Sequence, residues 1–536
     1  KDGRVQGTVK RFGDFESPEY ILSNTGTFER GLSANWGLNR FNFGFEAYYS
    51  FFKNEIGILR ASHLGGAQDQ IRAIESSIPL IVNDFDYAIN APMQEIDHHL
   101  FRIKGFKRLK GLGKLSLQYD FQKNDRLEFD IRRGSDRNKA SLDLELDTHS
   151  LQFDLNTSLT ADLNLKTGLL SRYQNNFAEP NTGVRRLIPD YKKYDLGVFS
   201  ILNYRPNNQW IFEAGARFDF SYLDVYKYYR TSFWEFRNYD ELFPELVVRE
   251  NINQILTHPE LKFYNPSATV GVHFNFDQDF NLLLNYSVAS RAPNPSELFS
   301  EGLHHSASRI ELGDLRFQSE RGHKVSLTLE RDEDRFGFSI NPFYQSIIDF
   351  IILEPTAIQQ TVRGNFQVWE YRQTHAELLG LDLDLMYRFS NTLSIQHQSS
   401  LVKGYDRIKD EALISMPPVN TSSEIVYQNP KYKNIRLALQ SAYFFRQNEY
   451  PNVNFEVYIP QEEQFKLVDV STPPDAYHLL NFSSSIDLKS VSFGLFSIDL
   501  TITNLLNTSY RNYLNRLRFY ADDLGRNFLI KLKFNY

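Results

Sequence analysis

Two pairs of adjacent histidines are the residues of this chain whose chemistry stands out. His304 and His305 lie in the polar stretch "EGLHHSASRIELGD", and His98 and His99 lie in "EIDHHLFRIKG". Neutral imidazole is a good ligand for zinc, copper or haem iron. The sequence therefore predicts that all four residues contact a ligand, and that His304 and His305 coordinate a metal.

The charged residues around the first pair have two interpretations. Glu301 and Arg309 are candidate ligand contacts, but with Glu311 they could equally form ion pairs that pin the loop. A structural role also suits the histidines, because adjacent residues on a strand point to opposite faces and one pair cannot chelate as a strand. No motif spacing marks four other histidines, which are His63, His258, His375 and His397.

Other kinds of chemistry find no support in the sequence. The chain has no "GxSxG", no "HExxH" and no Gly-Lys-Ser/Thr phosphate loop, so we predict no enzyme and no cofactor. It has no cysteine, which excludes disulfides and cysteine-based zinc sites. The net charge is −7, and the 59 Lys and Arg are scattered among 66 Asp and Glu, so nucleic acid is not an expected partner.

The elements that must position these residues alternate apolar and polar side chains. The stretches "FNFGFEAYYSFF" and "GKLSLQYDFQKNDRLEFDIRR" both have a period of two, which predicts strands. A soluble sheet with one wet face shows the same alternation. Here the apolar faces are rich in Phe and Tyr, with 44 and 30 in the chain, which is typical of a lipid-facing surface with aromatic girdles.

Short and long connections alternate along the chain. No apolar run reaches the roughly 20 residues of a membrane-spanning helix. We therefore predict an all-β fold over residues 1–536, a transmembrane antiparallel β-barrel of about 20 strands with short periplasmic turns and long extracellular loops. Its last strand should end at Tyr536 on the short-turn side, and both histidine pairs should lie on the extracellular side. The predicted long loops are near 53–94, 174–192, 223–264, 290–320, 348–375, 405–420, 447–476 and 504–524.

Particular motifs resemble one family. "NYSVASRAPNPSELFSEGLHHSASRIELGDLRFQSERG" resembles the barrel segment of TonB-dependent outer-membrane receptors, and the final "TITNLLNTSYRNYLNRLRFYADDLGRNFLIKLKFNY" is similar to their last hairpin. "LSNTG" and "LIPDY" are similar to pieces of Bacteroidetes-type members. The resemblance implies a 22-stranded barrel with an N-terminal plug and an energy-coupling box. Because the chain opens at "KDGRVQGTVKRFGDF", which resembles an early ascending strand, we expect the plug, the coupling box and the first hairpin to be missing.

The resemblance also implies a function in the bacterial outer membrane. Such a receptor imports a scarce nutrient, here a metal chelate such as a ferric siderophore, haem or a metal ion, and its plug receives energy from a TonB-type protein. One alternative is import of a glycan or peptide with a surface lipoprotein, because the aromatic stretch 222–236 could stack on sugars or else pack the loops together. Another is a non-importing barrel or pore within a larger assembly, with the plug on a separate chain.

Overall fold

Long antiparallel strands dominate the structure. The computed structural model describes residues 2–64, 67–132, 134–276, 279–361, 364–459, 462–490 and 494–535. In these ranges twenty long strands form the wall of a β-barrel, and each pairs antiparallel with the next along the chain. The strands are β1 (Asp2–Phe12), β2 (Thr27–Asn39), β3 (Phe43–Gly57), β4 (Met93–Leu109), β5 (Gly113–Phe129), β6 (Leu142–Ser158), β7 (Leu163–Ala178), β8 (Asp190–Tyr204), β9 (Trp210–Arg230), β10 (Glu260–Asn275), β11 (Phe280–Arg291), β12 (Glu320–Arg331), β13 (Phe336–Thr361), β14 (Gly364–Arg388), β15 (Leu393–Asp406), β16 (Asn420–Asn429), β17 (Ile435–Phe444), β18 (Tyr477–Ser490), β19 (Gly494–Thr503) and β20 (Asn527–Asn535).

Shorter elements lie in the connections. No helix in the described ranges is long and apolar enough to cross a membrane. The α-helices are α1 (Ala67–Glu75), α2 (Thr231–Phe236), α3 (Tyr239–Leu242) and α4 (Pro295–Phe299). The short strands are Phe15–Glu16, Ile21–Leu22, Val247–Glu250, Gln254–Thr257, Glu301–His304, Arg309–Leu312, Glu411–Ala412, Phe455–Ile459 and Gln464–Val468. The 3-10 turns are Arg60–Ser62, Gly134–Asp136, Pro180–Thr182, Pro244–Leu246, His305–Ala307 and Arg516–Phe519.

The predicted alternation of short turns and long loops is confirmed. Tight turns such as 40–42 and 110–112 gather at one end of the barrel, the short-turn end, and connections such as 58–92 and 292–319 gather at the other, the long-loop end. Tyr536, predicted to finish the last strand, lies outside the described residues.

The predicted loop at 348–375 is wrong. β13 and β14 stay paired as far as Thr361 and Gly364, so this segment is the top of a long hairpin. The ladder shifts register between Ile347 and Phe350 and again beside Pro355. Proline reads as a strand breaker in sequence, but a bulge lets the strand continue past it.

The two faces of the wall differ in chemistry. Outward-facing side chains such as Phe45, Phe101 and Phe153 are exposed, as lipid-facing residues are. On the opposite face Arg102 Nε lies 2.5 Å from Asp120 Oδ1, and similar ion pairs recur from strand to strand. The wall is therefore apolar outside and polar inside, as the alternation predicts.

Most of the buried apolar side chains lie in the loops at the long-loop end. The largest cluster joins the top of β9 to the 231–259 and 292–319 connections, and smaller clusters join 58–92 to 504–526. We call the described parts of these four connections the cap. The main hydrophobic core of the protein therefore lies at the cap, at one end of the barrel wall.

Candidate functional site

The predicted site residues 301–312 form a small hairpin in the cap. Its strands Glu301–His304 and Arg309–Leu312 are joined by the turn His305–Ala307, and the second strand pairs parallel with β14 at Gln367 to Glu370. The capping box of α4, from Asn294 and Glu297, fixes the chain just before the hairpin. Just after it, a Cβ on Gly313 would lie 2.6 Å from the carbonyl oxygen of Glu297, so this close approach requires glycine.

His304 uses both ring nitrogens within the protein. Its Nδ1 lies 2.9 Å from Glu311 Oε1, and Arg126 Nη2 at the end of β5 lies 2.8 Å from its Nε2. Because a guanidinium can only donate, Nε2 accepts from Arg126, and Nδ1 is the nitrogen that can donate to Glu311. Arg309 Nη2 lies 2.7 Å from the same Glu311 oxygen. Burial of Glu311 opposes its ionisation, but these partners outweigh burial and lower its pKa to about 2.

His305 turns away from His304 and meets a second carboxylate. Its Nδ1 lies 3.2 Å from Asp130 Oδ2, and both side chains are buried. His63, from the 58–92 connection, places Nε2 4.0 Å from Asp130 Oδ1, while Ser308 Oγ lies 3.2 Å from its Nδ1. Burial lowers the pKa of His63 to about 4, so this ring is neutral near pH 7. We call His63, Asp130 and His305 the imidazole cluster.

Glu301 lies at the centre of a different set of charges. It is buried and forms ion pairs with Arg185, with Lys227 at 3.3 Å and with Arg230 at 3.5 Å. Lys227 is buried as well, and its Nζ donates a hydrogen bond of 2.7 Å to the carbonyl oxygen of Phe299. Burial lowers the pKa of this amine to about 8, against the opposing charge of Glu301. We call these four residues the Glu301 cluster.

The second histidine pair lies on β4 and is divided between the two faces of the wall. His99 faces outward, where its Nδ1 lies 2.9 Å from the Tyr49 hydroxyl and its ring packs on Phe51. His98 has the opposite, lumen-side parity and pairs with Asn124. That position is two residues, or about 7 Å, from Arg126, the partner of His304. The structure therefore brings His98, but not His99, towards the hairpin.

A metal centre is not evident from the geometry. In the described part of the chain, no group of three or more His, Asp or Glu side chains is placed to hold a metal ion. His304 and His305 contact different carboxylates, so the pair does not act as a chelate in this arrangement. Metal coordination by His304 and His305 stays a prediction, as does ligand contact by the other candidates.

Ion pairs and loop contacts explain several of the predicted residues. Arg309 pairs with Glu311 and Glu301 pairs with Arg185, so the interpretation that these charges pin the loop describes contacts that are present. Sequence reasoning missed His63, Arg126 and Lys227, which lie far from residues 301–312 along the chain. No spacing signal could have found them, because folding of the cap alone brings them together.

The cap closes over the lumen through contacts between connections. Ser62 Oγ lies 2.8 Å from Ser308 Oγ. Gln70 Nε2 donates a hydrogen bond of 2.9 Å to the carbonyl oxygen of Asn365 at the tip of the β13–β14 hairpin. The Tyr520 hydroxyl donates a hydrogen bond of 3.0 Å to Gln70 Oε1, which links the 504–526 connection to the 58–92 connection. In the aromatic stretch 222–236, Trp234 is 1% exposed and packs within the cap, while Phe236 remains 79% exposed.

Comparisons with known proteins agree with this architecture. A family model for "TonB dependent receptor-like, beta-barrel" matches residues 81–505. No curated protein matches the chain in sequence. Among solved structures, the chain is similar to the copper transporter OprC at 14% identity and a TM-score of 0.73, covering 100% of this chain and 76% of that one.

Two further solved structures show the same fold. The FrpB iron transporter from Neisseria meningitidis (F3-3 variant) has 13% identity and a TM-score of 0.66, covering 99% of this chain and 76% of its own. The ferric-catecholate import receptor Fiu from K12 E. coli has 12% identity and a TM-score of 0.64, with coverage of 98% and 76%. At such identities the likeness concerns the fold.

Proposed function

Because the chain belongs to the TonB-dependent receptor-like β-barrel family, we propose that it captures a scarce nutrient at its long-loop end and imports it. It is an integral protein of the bacterial outer membrane, and the long-loop end is the extracellular one. The nutrient we propose is a metal chelate such as a ferric siderophore, haem or a metal ion. The metal-transporting neighbours with the same fold support this class of substrate.

The observation that carries this proposal is the interlocked cap over a polar lumen. Ordered loops across the extracellular opening would hinder diffusion through a general pore. A receptor, in contrast, needs ordered loops that bind the nutrient before it is transported. Four long connections contribute buried clusters to the cap, so its surfaces are held in place before a ligand arrives. Such preorganisation raises affinity, since less conformational freedom is lost on binding.

Exposure distinguishes the two adjacent histidines of the hairpin. The side chain of His304 is 18% exposed, that of its partner Arg126 is 28% exposed, and His98 is half-buried on the lumen side. We propose that these three residues contact the ligand from the cap and the wall. The side chain of His305 is only 1% exposed, so we propose that it positions the hairpin.

Energy for import must come from a partner. We propose that a plug domain, on the same polypeptide or on a separate one, gates the barrel and couples it to a TonB-type protein. A surface lipoprotein would join the complex if the nutrient were a glycan or peptide. The aromatic stretch gives that alternative little support, because Tyr229, Phe233 and Trp234 are buried in the cap.

A deletion strain tests the proposal. We expect slower growth than wild type under iron, copper or zinc limitation, restored by the intact gene and restored poorly by His98→Ala. His99→Ala is the matched control, because it changes the neighbouring residue on the outer face. A growth defect only on oligosaccharides or peptides would instead support the glycan alternative. A large, steady conductance of the purified protein in planar bilayers would support an open pore.

A further inference from the structure

A groove beside the cap, on the outer side of the barrel, has the features of an anion site. It lies between the β7–β8 connection and the top of β9 and has a volume of about 540 Å³. We propose that it binds a phosphate group carried by a glycolipid of the outer leaflet, independently of the imported nutrient. The lining residues used here are Arg185, Arg186, Tyr226, Lys227, Tyr228 and Arg230.

The charge balance of the groove favours an anion. Four of its lining residues are cations, and the acidic partners that bind them are Glu301, which is shared by three, and Asp190, which lies 2.8 Å from Arg186. Two positive charges are therefore in excess. A phosphate monoester carries about the charge that would balance them.

The arginines keep donors available for a ligand. The side chains of Arg185 and Arg230 are 36% and 44% exposed, although each has one ion pair with the buried Glu301. A guanidinium has five N–H donors, and paired guanidinium groups recognise phosphate oxygens by bidentate hydrogen bonds. Glu301 thus orients the two side chains while leaving part of each fork open to the groove.

The walls of the groove are fixed before any ligand binds. Tyr226 stacks on His258 with ring centroids 4.0 Å apart. Arg249 donates a hydrogen bond of 2.9 Å to the Tyr228 hydroxyl. The buried Lys227 is held by the Phe299 carbonyl oxygen and by Glu301. A site built in this way loses little conformational entropy on binding.

The position of the groove identifies a lipid as the source of the phosphate. Neighbouring outward-facing rings form an aromatic belt from strand to strand, which includes Tyr119, His149, Tyr173, Tyr194 and Tyr222. Tyr226 and Tyr228 share the outward parity of Tyr222, whose ring centroid lies 6.1 Å from that of Tyr194. Four to six residues of strand separate them from that belt, a distance of roughly 13–20 Å. Because the strands of such barrels are tilted by about 35–45°, the groove lies roughly 9–16 Å above this belt. It opens outside the barrel, at the height to which the phosphorylated sugars of a large glycolipid headgroup would extend. The exposed faces of the two tyrosines also suit stacking against headgroup sugars.

Binding of phosphorylated and dephosphorylated glycolipid to the purified detergent-solubilised protein tests this site. We expect native mass spectrometry to show the phosphorylated form bound to the protein. The dephosphorylated form should bind about tenfold more weakly, because it cannot accept the charge-assisted hydrogen bonds of the arginines. Equal binding of the two forms would overturn the proposal. Inorganic phosphate forms a separate arm, and displacement of the glycolipid at equimolar inorganic phosphate would overturn the lipid source.

Substitutions locate the binding to this groove. Arg230→Gln should weaken glycolipid binding by about tenfold, and Arg186→Gln, which leaves the buried Glu301 cluster intact, should weaken it by a few fold. Arg446→Gln is the matched control, because its side chain is 46% exposed at the long-loop end and pairs with Asp475. If Arg230→Gln and Arg186→Gln both bind the glycolipid as Arg446→Gln does, the groove is not the site.

Discussion

Two buried polar clusters meet in the 292–319 connection, and they differ in charge balance. In the imidazole cluster one carboxylate, Asp130, faces two imidazoles, of which His63 is neutral near pH 7. In the Glu301 cluster one carboxylate faces three cations. The imidazole cluster contains no arginine or lysine, whereas the Glu301 cluster has positive charge in excess.

The difference shows that burial of polar residues alone does not mark a binding site. The imidazole cluster joins the segment just after β5, the 58–92 connection and the hairpin, and its groups are all buried, so we propose that it holds the cap together. The Glu301 cluster also holds two connections together, but its two arginines remain partly exposed. In our proposal, exposure and excess positive charge together distinguish the groove from a purely structural contact.

The largest effect is expected from removing the carboxylate of the Glu301 cluster. Glu301→Gln leaves Lys227 buried without its counter-ion, which should cost about 3–5 kcal/mol of cap stability. Urea unfolding followed by tryptophan fluorescence reports this change, because Trp234 is buried in the same part of the cap. Glu333→Gln at the short-turn end is the control. An unchanged unfolding midpoint would mean that the cluster does not stabilise the cap.

A pH effect is expected next, from the imidazole cluster. Burial lowers the pKa of His63 from 6.5 to about 4, with Asp130 opposing the shift and His305 and Arg60 adding to it. Between these values the unfolded chain binds a proton that the folded chain does not. Stability is therefore full above pH 6.5 and falls as the pH drops towards 4, by about 2 kcal/mol between pH 7 and pH 5.

The pH effect is measured by urea unfolding of the cap at the two pH values. His63→Gln removes the titrating ring, so the difference between pH 7 and pH 5 should shrink in this variant. A difference of equal size in the wild type and in His63→Gln would assign the pH dependence to other groups.

A smaller effect should separate the two adjacent histidines of the hairpin. His304→Ala removes a partly exposed ring, and we expect a five- to tenfold weaker binding of the nutrient with a small change in stability. His305→Ala removes a buried ring and should lower cap stability by about 1–3 kcal/mol. Isothermal titration with the nutrient and urea unfolding distinguish these outcomes. An unchanged dissociation constant for both variants would end the metal interpretation of this pair.

The smallest effect is expected on the outer face. His99→Ala removes a hydrogen bond to Tyr49 in the aromatic belt, and the stability should change by less than about 0.5 kcal/mol. Metal-limited growth should stay at the wild-type level. A strong growth defect in this variant would show that the two faces of β4 cannot be assigned from strand parity.

The alternation of apolar and polar residues made the barrel predictable from the sequence. The contacts of the candidate site could not be predicted in this way. The period-two pattern within a single stretch, such as 113–129, is enough to predict a strand with one lipid-facing and one lumen-facing side. The partners of His305 and Glu301 come from connections and a strand end far away in sequence, and only the packing at the long-loop end decides which of them meet. The error at 348–375 has a local cause, since Pro355 resembles a strand end unless the bulge beside it is known.

Cell-associated metal content tests the proposed import most directly. Iron, copper and zinc should be measured by elemental mass spectrometry in metal-limited wild-type, deletion and complemented strains. We predict that at least one of these metals falls in the deletion strain and recovers with the intact gene, but recovers poorly with His304→Ala. Equal contents of all three metals in wild-type and deletion strains would contradict metal import by this receptor.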